Sequence, residues 1–112
     1  MNRGKVDVFD KVIHLAKKSP MLHKHGAIII WNGEVLGQGF NHQSSYMSHS
    51  WSCHAEVAAI LSVRSAEKWK MLDATLIVVR VGNDGNVKLS RPCENCTKQI
   101  QKCGIKKVFY ST

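Results

Sequence analysis

The chain has 112 residues, 44% of them hydrophobic and 21% charged, with only two prolines. This composition suits one globular domain over residues 1–112 and argues against a disordered chain or a disulfide-stapled scaffold. Apolar runs such as Ala27 to Trp31 are far short of the roughly 20 residues that cross a bilayer, and sixteen Lys plus Arg against eight Asp plus Glu give a net charge of +8.

The first twenty residues, MNRGKVDVFDKVIHLAKKSP, have the charge of a signal peptide without its apolar stretch, so a cytoplasmic or otherwise intracellular, reducing setting is expected. Asp7 to Lys18, with Val6 just before it, carries Phe9, Val12, Ile13 and Ala16 at helical spacing, and Ser19-Pro20 stops that helix. Gly26 to Trp31 reads as a strand, Asn32-Gly33 as a two-residue hairpin turn, and Glu34 to Phe40 as the returning strand. Residues 41–52 form a polar loop. Ala55 to about Ser65 is expected to be a helix buried on more than one side, through Val57, Ile60 and Leu61.

Ala74 to Val81 is a nearly continuous apolar strand, followed by a turn over Gly82 to Asn86 and a short segment, Val87 to Leu89. A third helix is predicted from Pro92 or Cys93 to Cys103, with Gly104 as its C-terminal cap, and Ile105 to Tyr110 is the last strand. The order α-β-β-α-β-α-β implies an α/β layered domain: an antiparallel hairpin followed by βαβ crossovers.

Two segments fall at predicted helix N-termini: Cys53-His54-Ala55-Glu56 and Pro92-Cys93-Glu94-Asn95-Cys96. Cysteines at i and i+3 on a first helical turn aim both sulfurs at one point, where the free backbone amides favour thiolates. With a histidine from another helix N-terminus they make a Cys₂His set for zinc with the fourth tetrahedral position open, which is a catalytic arrangement. Glu56, two residues beyond His54, stands where a carboxylate moves a proton without binding the metal. Each motif alone is weak. His-x-Glu is common, and a CxxC pair also serves as a redox couple or as half of a structural Cys₄ site.

Together, His-x-Glu and then Pro-Cys-x-x-Cys on the next helix form the zinc-deaminase pattern, and the chain resembles the cytidine and deoxycytidylate deaminase superfamily. HGAIIIWNGEVLGQGFN is similar to that family's first hairpin, CHAEVAAI to its first zinc helix, and SRPCENCTKQIQKCGIKKVFYS to its second zinc helix and following strand. The resemblance covers about residues 5–112. It implies a three-layer α-β-α fold with a mixed sheet of about four main strands, one Zn²⁺ on His54, Cys93 and Cys96, and Glu56 as the proton shuttle. It also implies hydrolytic deamination of cytosine in a nucleoside or nucleotide, with release of ammonia.

By the same resemblance Asn41, in the GxGxN pattern, contacts base or ribose, though from spacing a helix or turn cap before the polar loop is nearly as good a reading. Gly26 and Ala27 are small positions against which the base lies, and Ala55 brings a peptide amide close to it. Trp51 is the preferred stacking ring over Tyr46, Trp31 and Tyr110. His42 and His49, in the 41–52 loop, are candidate contacts to phosphate or base, and His25 is a candidate phosphate contact. Cys53 and Cys103 have packing roles by default.

Many relatives continue past the strand at Ile105 to Tyr110, so a minimal domain that forms a homodimer or larger homo-oligomer is expected. The six basic and one acidic residues of 88–107, and the six basic and two acidic of 1–25, favour a mononucleotide over a nucleoside and leave nucleic acid open as a partner. The alternatives are a deaminase of transfer-RNA adenosine or of single-stranded nucleic acid, and a non-catalytic zinc module that binds nucleic acid.

Overall fold

A computed structural model of the chain describes residues 3–21, 23–43, 52–90 and 94–111. The first helix, α1, runs Arg3–Lys17, four residues longer at its start than the apolar stripe indicates. Val12 and Ala16 are fully buried and Leu15 nearly so, whereas Phe9 is 46% exposed. The buried line therefore runs through Val8, Val12, Leu15 and Ala16, and Phe9 lies beside it.

Strand β1, Lys24–Trp31, and strand β2, Glu34–Phe40, pair antiparallel around Asn32 and Gly33. Both turn residues have positive φ, 49° and 79°, the conformation that makes Asn-Gly the favoured two-residue hairpin turn. A bulge between Ile29 and Ile30 leaves Leu36 as the extra residue on β2. The 41–52 segment holds a short antiparallel ladder between β3, His42–Gln43, and β4, Ser52–Cys53.

Helix α2 spans Ala55–Ser62 and ends about three residues earlier than expected. The Ser62 hydroxyl donates to the Ala59 carbonyl at 2.7 Å and accepts the Gln38 amide of β2 at 2.9 Å, while Val63 turns extended and buries itself in the core. A 3₁₀ segment, Ser65–Asp73, follows. Its side chains repeat every three residues and only Met71 is buried, so no helical stripe marks it in the sequence.

Strand β5, Thr75–Val81, carries the short strand β6, Val87–Lys88, and after helix α3, Glu94–Cys103, comes strand β7, Lys107–Tyr110. Gly104 ends α3 with φ 94°, as its predicted capping role requires.

In the sheet, β1 is flanked by β2 and β5, both antiparallel to it. The other edge of β5 is shared by β7, parallel, and β6, antiparallel. The first crossover therefore passes from β2 over β1 to β5, and only the second, β5-α3-β7, joins neighbouring strands. Strand alternation divides the core into two layers. Ile28, Val79 and Val81 meet Val12 and Ala16 of α1 on one face. Ala27, Ile29, Leu76 and Val78 meet Ala55 and Ala59 of α2 and Ile100 of α3 on the other. The result is the expected three-layer α-β-α arrangement around a mixed sheet.

Two glycines set how closely α2 lies on β2. A Cβ on Gly37 would stand 2.5 Å from the Ala59 carbonyl oxygen, and one on Gly39 would stand 2.6 Å from Ala58 Cβ. Since β2 and β5 run parallel, α2 and α3 both begin at the same end and on the same face of the sheet.

Candidate active site

Helix α2 starts with His54 as its N-cap, in extended conformation at φ −70° and ψ 149°, so the imidazole projects off the end of the helix. Glu56, one turn position further in, is only 4% exposed, and Cys96, in the first turn of α3, is 1% exposed. His54 Nδ1 lies 3.1 Å from Cys96 Sγ. A ring nitrogen of His54, a carboxylate oxygen of Glu56 and Cys96 Sγ all fall within 4.8 Å of one another. An imidazole nitrogen and a thiolate sharing one tetrahedral zinc, with bonds of about 2.1 and 2.3 Å, sit about 3.6 Å apart. The donor types and the spacing thus fit zinc with a small outward adjustment.

Around this cluster the sheet end is tied down by Asn41. Its side-chain oxygen accepts the His25 amide at 2.9 Å, its Nδ2 donates to the His23 carbonyl at 2.7 Å, and its backbone amide donates to the His25 carbonyl at 3.1 Å. Asn41 thus ties the end of β2 to the start of β1, and any bond from it to a ligand comes in addition to these.

His25 follows the alternation of Ala27 and so faces the α2 side. Burial holds it below the ordinary histidine value. The His23 carbonyl and the Glu56 carboxylate oppose that shift, while Arg80 and His54 reinforce it. Its Nδ1 donates to the His23 carbonyl at 3.2 Å, which leaves Nε2 of the neutral ring as an acceptor. Arg80, directly across the ladder from His25, is a neighbour that sequence reasoning passed over. Its signal was the alternation Leu76, Val78, Arg80 at the carboxyl end of β5.

The remaining candidates divide. Ala27 and Ala55 are fully buried in the layer beneath α2. Gly26 faces away from the site: a Cβ there would stand 2.5 Å from the Val12 carbonyl oxygen and 2.6 Å from the Ala16 amide nitrogen. Its small size is thus required by α1, and a base lying on β1 meets it only through its backbone. His42 Nδ1 donates to the Phe40 carbonyl at 3.1 Å, and its ring meets the Phe40 ring edge-on at 6.0 Å.

Trp31 is at the far end of β1, about 20 Å from His25 by strand rise, and packs against Trp69 at 5.8 Å. Tyr110 packs on the core beside α3, and the Cys103 thiol donates to the Ile100 carbonyl at 3.1 Å. Tyr46, His49, Trp51 and Cys93 lie outside the described residues.

The family model for the cytidine and deoxycytidylate deaminase zinc-binding region matches residues 4–112. The chain belongs to that family. Its site is accordingly that of a deaminase-like hydrolase, with the zinc-dependent deaminase chemistry of the superfamily.

Among solved structures, the dCMP deaminase of cyanophage S-TIM5 in apo form superposes with a TM-score of 0.58 at 24% identity, over 91% of this chain and 80% of that one. The cytidine deaminase of Burkholderia pseudomallei gives 0.64 at 23% identity, over 91% and 83%. A diaminohydroxyphosphoribosylaminopyrimidine deaminase/5-amino-6-(5-phosphoribosylamino)uracil reductase of Thermotoga maritima gives 0.59 at 28% identity, over 94% of this chain but 28% of that one. No curated protein sequence matches the chain. No helix among the described residues is long and apolar enough to cross a membrane.

Proposed function

We propose that the protein hydrolyses the exocyclic amine of cytosine in a nucleoside or mononucleotide, giving the uracil product and ammonia. The observation that carries this reading is the convergence of His54, Glu56 and Cys96 at the shared starting end of α2 and α3. His54, Cys93 and Cys96 are proposed as the ligands of one zinc per chain, with Glu56 free of the metal. Bound zinc supplies a water that ionises near neutral pH and an electrophile that polarises the reacting centre.

Glu56, nearly buried and aimed at the same point, takes up the proton released there. It carries that proton to N3 of the pyrimidine, where it stays in the product, and then carries the second proton of the attacking water to the amino group, which leaves as ammonia as the C4 carbonyl forms. Low exposure keeps bulk water from competing for it. Asn41, Ala27, Ala55 and His42, with Trp51 and His49 of the 44–51 segment, are the proposed substrate contacts.

Ammonia release is to be measured for cytidine, deoxycytidine, their monophosphates, deoxycytidine triphosphate, short single strands and a transfer-RNA stem-loop. Turnover of the free cytosine compounds supports the proposal. Turnover confined to the polynucleotides would move the substrate class, and a zinc-loaded protein inert on all of them would leave a binding module. Homo-oligomerisation is part of the same reading, supported by the exposed Leu61, Trp69 and Phe109. A monomer by light scattering at micromolar concentration would refute that part.

A further inference from the structure

Beside the His54, Glu56 and Cys96 cluster the structure holds a second set of polar groups that the deamination chemistry does not use. Arg80 stands opposite His25 in the ladder between β1 and β5. Because Ala27 and Val78 on the same strands point into the layer under α2 and α3, His25 and Arg80 point to that face too. Ala27, two residues along β1 from His25, shares that layer with Ala55, the residue before Glu56. A row therefore runs across the sheet end from Glu56 over β1 to His25, and then to Arg80 on β5, one strand spacing of about 4.8 Å further. That step is on the scale of the sugar between a base and its 5′ substituent.

Arg80 is incompletely satisfied for a permanent cation in a partly buried position. Its Nε is buried without a hydrogen-bond partner. One terminal nitrogen donates to His23 Nδ1 at 2.9 Å, and the other reaches the Leu89 carbonyl only at 3.5 Å. Among the described residues the ion pairs are Lys70 with Glu67 and Lys88 with Asp84, so no carboxylate pairs with Arg80. A buried donor left unpaired costs the desolvation of that group. An anion held at the terminal nitrogens, one of which is engaged only weakly, offsets that cost through the charge of the group, and the planar guanidinium matches phosphate oxygens.

We propose that Arg80, braced by His23 and flanked by His25, is the specificity residue that receives the 5′-phosphate of a mononucleotide whose base lies at Glu56. The assignment rests on the cytosine-deaminase reading above. It names phosphate as the recognised chemistry and a mononucleotide as its bearer.

The test compares zinc-loaded wild type, Arg80→Gln and Arg80→Lys in two measurements. The first is kcat/KM for dCMP and deoxycytidine at low and high salt. The second is calorimetric binding of dCMP, inorganic phosphate and a short oligodeoxycytidylate, which needs no turnover. Wild type is expected to favour dCMP at both salts, since a specific contact outlasts ionic screening. Arg80→Gln is expected to lose roughly 10- to 100-fold on dCMP, mainly in KM, to leave deoxycytidine within about twofold, and to abolish phosphate binding. Arg80→Lys should restore part of the preference.

Equal losses on dCMP and deoxycytidine would assign Arg80 to bracing the His23 and Leu89 segments and overturn the proposal. So would an oligonucleotide bound more tightly than dCMP in an Arg80-dependent way. If no cytosine compound turns over but Arg80-dependent binding of phosphate and dCMP persists, the deaminase reading fails and the phosphate site stands. If neither variant folds, wild type itself decides, because absence of any preference for dCMP in high salt overturns the proposal.

Discussion

On the α1 face of the sheet, Ile28, Val79 and Val81 pack against Val12 and Ala16, an all-aliphatic buried cluster. The opposite face uses the same two central strands, β1 and β5, but adds two helices whose first turns carry His54, Glu56 and Cys96 to one point. The difference lies in connectivity. Helices that leave the carboxyl ends of parallel strands deliver their N-terminal side chains, and their unpaired amides, to a common edge. A helix that precedes the sheet needs only a complementary apolar stripe. One face should therefore govern stability with little effect on chemistry, and the other should do the reverse.

The largest effect is expected on the catalytic face. Glu56→Gln should retain zinc and lose turnover by about 10²- to 10⁴-fold, read by ammonia release alongside metal analysis. Undiminished turnover would remove Glu56 from the mechanism. On the α1 face, Ile28→Ala should lower stability by about 2–5 kcal/mol while kcat/KM of the folded protein stays near wild type. Urea unfolding with parallel kinetics checks it, and an equal collapse of activity would erase the distinction between faces.

Between these lies Gly37→Val, which stays on the catalytic face but touches no chemical group. Its side chain would meet the Ala59 carbonyl and Val63, so overpacking should cost about 1–3 kcal/mol or more. By lifting α2 off β2 it should also weaken zinc retention, measurable by competition with a chelator.

The smallest effect concerns pH. His25 is held below its unfolded value of 6.5 chiefly by burial. The unfolded chain therefore binds its proton first, and the stabilising contribution is present above pH 6.5 and lost as pH falls from there through the folded value. Wild type should lose more stability than His25→Gln between pH 7.5 and 5.5. Identical pH slopes in urea unfolding would show that His25 is not so held.

The same contrast explains what the sequence made legible. The hairpin was readable because Asn32-Gly33 encodes its turn locally, and α3 because Cys103-Gly104 marks its end. The proposed metal ligands His54 and Cys96 were readable because zinc ligation demands particular residue types at helix starts. Arg80 was not, because its position depends on strand alternation and on β5 pairing with β1, a contact between residues far apart in the chain. Gly26 was assigned to the substrate side because a small residue looks alike whether a base or a helix approaches it; only the packing of α1 separates the two. The 3₁₀ segment Ser65–Asp73 lacked a stripe altogether, since it buries a single side chain.

The central claim, that the shared starting end of α2 and α3 is a zinc-dependent cytosine-deaminating site, is tested most directly by one assay. Ammonia release from dCMP and deoxycytidine is followed for the protein as purified, after chelation, and after zinc is restored. The account predicts turnover that disappears on chelation and returns with about one zinc per chain. Turnover that survives removal of all metal, or a fully zinc-loaded protein that deaminates neither compound, would contradict it.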